Sequence, residues 1–296
     1  MINCVQNDFP WYAFCAIMAF VWGACIGSFL NVCIYRIPRG LSIVKPRSFC
    51  PHCKTPIPWY CNVPLVSFVL LRARCAFCGN RINARYVLVE LLMGVLFLLA
   101  WLKYDPGRGP PPLGLVPARE LALVPVYWLI MSGLVLGTFV DLEHLIIPDR
   151  VTLGGIVAGF CLSILVPALH GQDGALRAMG WSAIGIAAGA GLLWVLAFLG
   201  RLAFRKEAMG LGDVKLLGAV GAFLGPQAVF FTVLLSSLAG SIVGIALIML
   251  RRKRMGSRIP YGPYLALAAV VWILWGPNLW DFYLDAFTPK LLPYPQ

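Results

Sequence analysis

The sequence predicts an all-α, polytopic membrane protein of about eight transmembrane helices, with a small cytoplasmic insertion between the first two. Three observations carry that reading. Of 296 residues, 60% are hydrophobic and only 12% are charged, whereas charged residues make up about a quarter of an ordinary soluble domain. The apolar residues fall into runs suited to helices that cross roughly 30 Å of hydrocarbon. The basic residues cluster between alternate runs, the pattern that marks the cytoplasmic side. A water-soluble globule of this size has no room to hide so much apolar surface, and the charge is too low for a disordered chain.

The runs lie at 11–35, 86–102, 121–140, 151–169, 178–200, 214–224, 227–250 and 262–276. Met1 to Asp8 contain no Lys or Arg, so the n-region of a cleavable signal is missing and the first run is expected to stay as a span. Runs six and seven are parted only by Gly225-Pro226, which fits either two spans or one broken hairpin. With the N-terminus outside, segments 36–85, 141–150, 201–215 and 251–258 face the cytoplasm and hold 19 of the 24 Lys and Arg. That asymmetry puts both termini outside. Arg251-Arg252-Lys253-Arg254 then reads as a headgroup-facing cluster, with membrane lipids as its partner and no nucleic acid. The expected organisation is a first span at 1–35, the insertion at 36–85, a second span with a Pro-rich outer loop at 86–120, a six-helix core at 121–276 and an outer tail at 277–296.

The insertion carries nine basic residues and no acid. It also carries Cys50-Pro-His-Cys53 and Cys75-Ala-Phe-Cys78, two CxxC pairs about twenty residues apart. Such pairs can bring four thiolates into one tetrahedron, the arrangement of a closed structural zinc site. Disulfides do not suit the reducing cytosol, and a segment of this size buries too little core to fold without a staple. Cys50, Cys53, Cys75 and Cys78 are therefore the expected zinc ligands, and His52 is expected to face solvent. Cys15, Cys25, Cys33 and Cys161 lie in spans and read as small packing residues.

Only twelve acids occur in the chain, so their places carry information. Asp141 ends the apolar run 134–140, and Asp213 stands in Gly210-Leu211-Gly212-Asp213 at the start of another span. An ionisable group at the edge of a span is costly and points to function. Two carboxyls brought face to face can share a proton while one of them activates water. The plainer alternative has each one capping a helix or pairing with Arg150 or Lys215. Asp149 could partner Asp213 in place of Asp141, but it heads the next span and is expected as a helix N-cap; Glu143 and His144 are expected to face water.

Taken together, these residues resemble the type IV prepilin peptidases, also called leader peptidase/N-methyltransferases, of the GxGD aspartic protease family. The likeness runs through Gly27-Ser28-Phe29-Leu30-Asn31, Tyr35-Arg36-Ile37-Pro38, the CxxC pairs, Arg85-Tyr86 with Val89-Glu90, and Asp141 with Ile147-Pro148-Asp149. It continues through Gly210-Leu211-Gly212-Asp213-Val214-Lys215 and Tyr261-Gly262-Pro263-Tyr264. The resemblance implies a bacterial inner-membrane enzyme with type IV prepilins or pseudopilins as substrates. It implies cleavage of their leader after a glycine on the cytoplasmic side, then N-methylation of the new terminus with S-adenosylmethionine. It places the catalytic aspartates at Asp141 and Asp213 and the zinc at the four cysteines. The family often has Gly two residues before the third cysteine, a position tied to methyl transfer, where this sequence has Ala73.

No GxGxxG dinucleotide motif marks the methyl-donor site. Ser28, Asn31, Arg36 and Glu90 are its candidate residues. Glu90 either receives the new amine or a cofactor hydroxyl, or pairs with Arg36. The competing readings are a GxGD peptidase without methyl transfer and a non-enzymatic zinc-bearing scaffold or transporter. Transporter acids lie near the bilayer midplane, unlike Asp141 and Asp213.

Overall fold

Glycines and other small residues decide which helices touch. The computed structural model describes residues 9–104, 121–204, 210–250 and 260–287. The expectations for 1–8, for most of the Pro-rich outer segment, for Arg251 to Arg254 and for the last nine residues lie outside the described residues. Helix α1 spans Phe9–Arg36, a short α2 spans Val66–Leu70, and α3 spans Ala84–Tyr104. They are followed by α4 (Leu123–His144), α5 (Asp149–Leu165), α6 (Ala175–Phe204), α7 (Leu211–Met249) and α8 (Gly262–Phe287). Among the described residues no strand forms, and six helices are long and apolar enough to cross a membrane.

The difference between six such helices and eight apolar runs has two sources. Helix α5 has 17 residues, about 26 Å of helix, short of roughly 30 Å of hydrocarbon. Helix α7 merges two runs across Gly225, whose φ of 80° and ψ of 177° are not helical. A Cβ on Gly221 would stand 3.0 Å from Val229 Cγ2, which a straight helix cannot bring about over eight residues. The chain therefore reverses at Gly225-Pro226. Its second limb runs antiparallel to α8, since Phe231 meets Trp272 while Ser236 meets Tyr261. The two runs are a helical hairpin, so all eight runs are helical. Helix α8 continues beyond 276 to Phe287, with Pro277 inside it.

Helix α1 crosses α3 closely, as small residues at a membrane interface allow. A Cβ on Gly23 would lie 2.5 Å from the Met93 carbonyl oxygen, and one on Gly27 2.7 Å from Glu90 Cα. Helices α6 and α7 approach as tightly, with Gly185 against the Gly221 carbonyl. Helix α4 is the most buried, packing Met131, Leu134 and Val140 into a core shared with Phe97, Leu217 and Ile273. Helix α8 packs on both α4 and α7, and this brings their ends together. Of the cysteines in spans, Cys33 is buried, but Cys25 and Cys161 are exposed on outward faces rather than packed.

Between α1 and α3 the insertion folds as two equivalent knuckles. Phe49 bridges to Pro56 and Arg74 to Arg81. Within them the Lys54 N–H donates to the Cys50 carbonyl, and the Gly79 N–H to the Cys75 carbonyl. Lys54 and Gly79 both adopt left-handed φ, 59° and 66°, four residues after the first cysteine of each pair.

Candidate active site and metal centre

Asp141 occupies the last turn of α4, where the chain turns away through a left-handed Leu145. Its side chain is buried, and its Oδ2 accepts the Gly262 backbone N–H at 3.1 Å. A Cβ at residue 262 would sit 2.8 Å from that oxygen. Asp213 lies in the first turn of α7, where its carboxylate accepts the Gly210 N–H and stands within electrostatic reach of Asp141. Ile147, from the α4–α5 turn, packs between Gly212 and Gly262. A Cβ on Gly212 would come 3.3 Å from Ile147 Cβ, and one on Gly262 would come 3.1 Å from its Cδ1.

The charged neighbours pair elsewhere. Lys215 Nζ reaches Asp149 Oδ1 at 2.7 Å rather than Asp213. Asp149 is not the N-cap of α5: Pro148 holds that place and Asp149 follows in the first turn. Glu143, expected in water, forms an ion pair with Arg85 from the start of α3. His52 is exposed, as expected.

A cavity of about 540 Å³ lies between the insertion and the adjoining ends of α1 and α3, within the range of small-molecule sites. Ser28, Asn31, Arg36 and Glu90 all line it, as do Cys50 and Glu143. Arg36 does not pair with Glu90. Its guanidinium donates to the carbonyls of Ser42, Pro46 and Arg47 at 3.0, 2.8 and 3.4 Å, which ties down the loop after α1. Glu90 instead accepts the Leu65 N–H at 2.8 Å and the Ser28 hydroxyl. Asn31 Nδ2 donates to the carbonyls of Gly27 and Tyr86, while its buried Oδ1 has no partner among the described residues. That orphan acceptor suits an amine or hydroxyl donor on a bound small molecule.

The sulfurs of Cys50, Cys53, Cys75 and Cys78 lie within 4.8 Å of one another, with Cys50 and Cys78 at 3.9 Å. Zn–S bonds of about 2.3 Å in a tetrahedron need sulfurs about 3.8 Å apart, so the residues fit the metal. The Thr55 hydroxyl and N–H hold the Cys53 thiol down to about 6. The N–H groups of Cys78 and Phe77 lower Cys75. Cys78 is drawn down by the Asn80 N–H, yet desolvation and the thiols beside it push it up to about 11. Four thiols packed this closely ionise together only with a cation among them.

Sequence reasoning missed the part played by Gly262, although the Tyr261-Gly262-Pro263-Tyr264 run marked the place. It also missed the Arg85–Glu143 pair, which no local pattern announces across 58 residues.

Residues 21–104 match the bacterial peptidase A24 N-terminal domain, and residues 128–245 match the type IV leader peptidase family. The chain is similar to the prepilin leader peptidase/N-methyltransferase of Aeromonas hydrophila, 37% identical over 96% of this chain and 98% of the relative. The protein of that name from Neisseria gonorrhoeae is 32% identical over 88% of this chain and 90% of its own length. The one from Myxococcus xanthus is 39% identical over 82% of this chain and 66% of its own length. No solved structure matches the chain significantly.

Proposed function

The chain belongs to the type IV leader peptidase family, and on that premise we propose that it is a prepilin leader peptidase and N-methyltransferase. The substrates are type IV prepilins or pseudopilins, cut after a glycine at the inner membrane, with the insertion in the cytoplasm and both termini outside. The observation that carries the reading is the meeting of Asp141, Asp213 and Gly262 at the ends of three helices. With one proton between the two carboxyls, one takes a proton from the attacking water. The other gives its proton to the carbonyl oxygen of the scissile peptide. The Gly262 N–H fixes the orientation of Asp141, and Ile147 packs beside it against Gly212 and Gly262.

The second reaction belongs to the cavity beside α1 and α3. S-adenosylmethionine supplies the methyl group there. Asn31 Oδ1 accepts a hydrogen bond from the bound molecule, and Glu90 receives the new amine or a ligand hydroxyl, with Ser28 orienting it. Arg36 keeps the wall of the cavity in place. Cys50, Cys53, Cys75 and Cys78 hold zinc, which folds the insertion. Residues 36–85 serve methyl transfer, and the core at 121–276 carries the peptidase.

One observation favours a peptidase without methyl transfer. Ala73, where the family often has Gly, takes a left-handed φ of 57°. Co-expression with a prepilin, followed by mass analysis of its N-terminus, separates the readings. Cleaved and methylated product supports the first, cleaved and unmethylated product the second, and uncut prepilin neither.

A further inference from the structure

Leu65 packs its peptide against the body of α3 rather than beyond its end. Its N–H reaches Glu90 Oε2, and Glu90 is four residues, about 6 Å, beyond Tyr86 along α3. Tyr86, with the Arg85 guanidinium 5.1 Å from its ring centre, has the aromatic and basic character of a membrane boundary. Beyond it, residues 87–102 are apolar except Glu90. The Leu65 peptide therefore stands level with the apolar part of α3.

The segment around it is made for that level. Val63 N–H donates to Ser67 Oγ at 2.9 Å, and Ser67 Oγ donates to the Tyr60 carbonyl. The N–H groups of Ser67, Val69 and Leu71 go to the carbonyls of Val63, Leu65 and Ser67. Pro64 has no N–H to satisfy. Irregular backbone survives at membrane depth only when its polar groups are paired within the protein. No charged residue occurs between Lys54 and Arg72. Val66, Val69 and Leu70 are 50%, 70% and 76% exposed. Trp59 and Tyr60 are exposed on one side of this stretch, and Arg72 and Arg74 on the other.

We infer that residues 59–72 re-enter the membrane as a short hairpin with Leu65 at its tip, so that Val66, Val69 and Leu70 contact lipid acyl chains. Lipid is the occupant because Leu65 is fixed at that depth. The nine basic residues of the insertion, with no acid among them, also match anionic headgroups.

Photo-crosslinking tests this on the full-length protein in nanodiscs of phosphatidylethanolamine and phosphatidylglycerol. p-Benzoylphenylalanine replaces Val69 or, separately, Leu70. Both side chains are largely exposed, so the fold is kept, and monodisperse elution checks it. After irradiation, intact mass should show phospholipid adducts at both positions and none when the same photo-residue replaces exposed His52. Absence of lipid adducts at 69 and 70, adducts at all three positions, or cross-links to a second copy of the chain would each overturn the inference.

Discussion

The backbone N–H of Gly262 donates to Asp141 Oδ2 across 3.1 Å, joining the first turn of α8 to the last turn of α4. The carboxylate stands at the C-terminal end of its own helix, where the α4 dipole offers it nothing, and takes its support from the start of another. Alanine at 262 would put a Cβ 2.8 Å from the oxygen and 3.1 Å from Ile147 Cδ1. Gly262→Ala should lower the prepilin cleavage rate about 10²-fold, the scale of a misplaced catalytic group, with the protein still eluting as folded. A cleavage time course on purified variant and parent checks it.

Asp141→Asn and Asp213→Asn should each abolish cleavage while leaving expression and membrane insertion unchanged. Each change keeps the side-chain volume and removes a group that must hold or release a proton. An Asp141→Asn protein with normal activity would remove that residue from the pair. Asp149→Asn should stay active, because Asp149 is tied to Lys215.

Elemental analysis should find close to one zinc per chain, lost when Cys50 and Cys75 are both changed to Ser. Methyl transfer should then fall more than cleavage, since the insertion walls the cavity while Asp141 and Asp213 lie on α4 and α7. Equal loss of both activities would contradict that division.

Glu90→Gln should leave cleavage near normal and yield mostly unmethylated product. The amide oxygen can still accept the Leu65 N–H, so the loop stays in place, but the negative charge is gone. Both activities are measured on one preparation, and unchanged methylation would exclude Glu90 from the second reaction.

Ala73→Gly should raise the thermal stability of the protein and improve metal retention under chelator challenge. A Cβ in the left-handed region costs about 1 kcal/mol, and the Ala73 N–H bond to the Phe68 carbonyl is kept. A lower midpoint for the glycine variant would show that the strain is not real.

The two aspartates were legible because acids are scarce in an apolar chain, so each one at the end of a run stood out. The cysteines were legible from spacing alone. Arg36 and Glu90 were visible as polar groups near one boundary, but not their partners. Both bind backbone groups of the insertion, and no side-chain pattern encodes a carbonyl or an N–H. Gly225-Pro226 announced a break, while the direction taken after it rested on contacts such as Gly221 with Val229.

The α1–α3 crossing has a consequence for how the cavity is built. With backbone pressed on backbone at Gly23 and Gly27, these two helices cannot part without losing the whole interface. They form a rigid floor under the cavity. The roof is different: it hangs from Arg36 through three carbonyls and from Glu90 through one N–H. The two walls of the cavity are thus built differently, the floor by continuous backbone packing and the roof by four hydrogen bonds to two side chains.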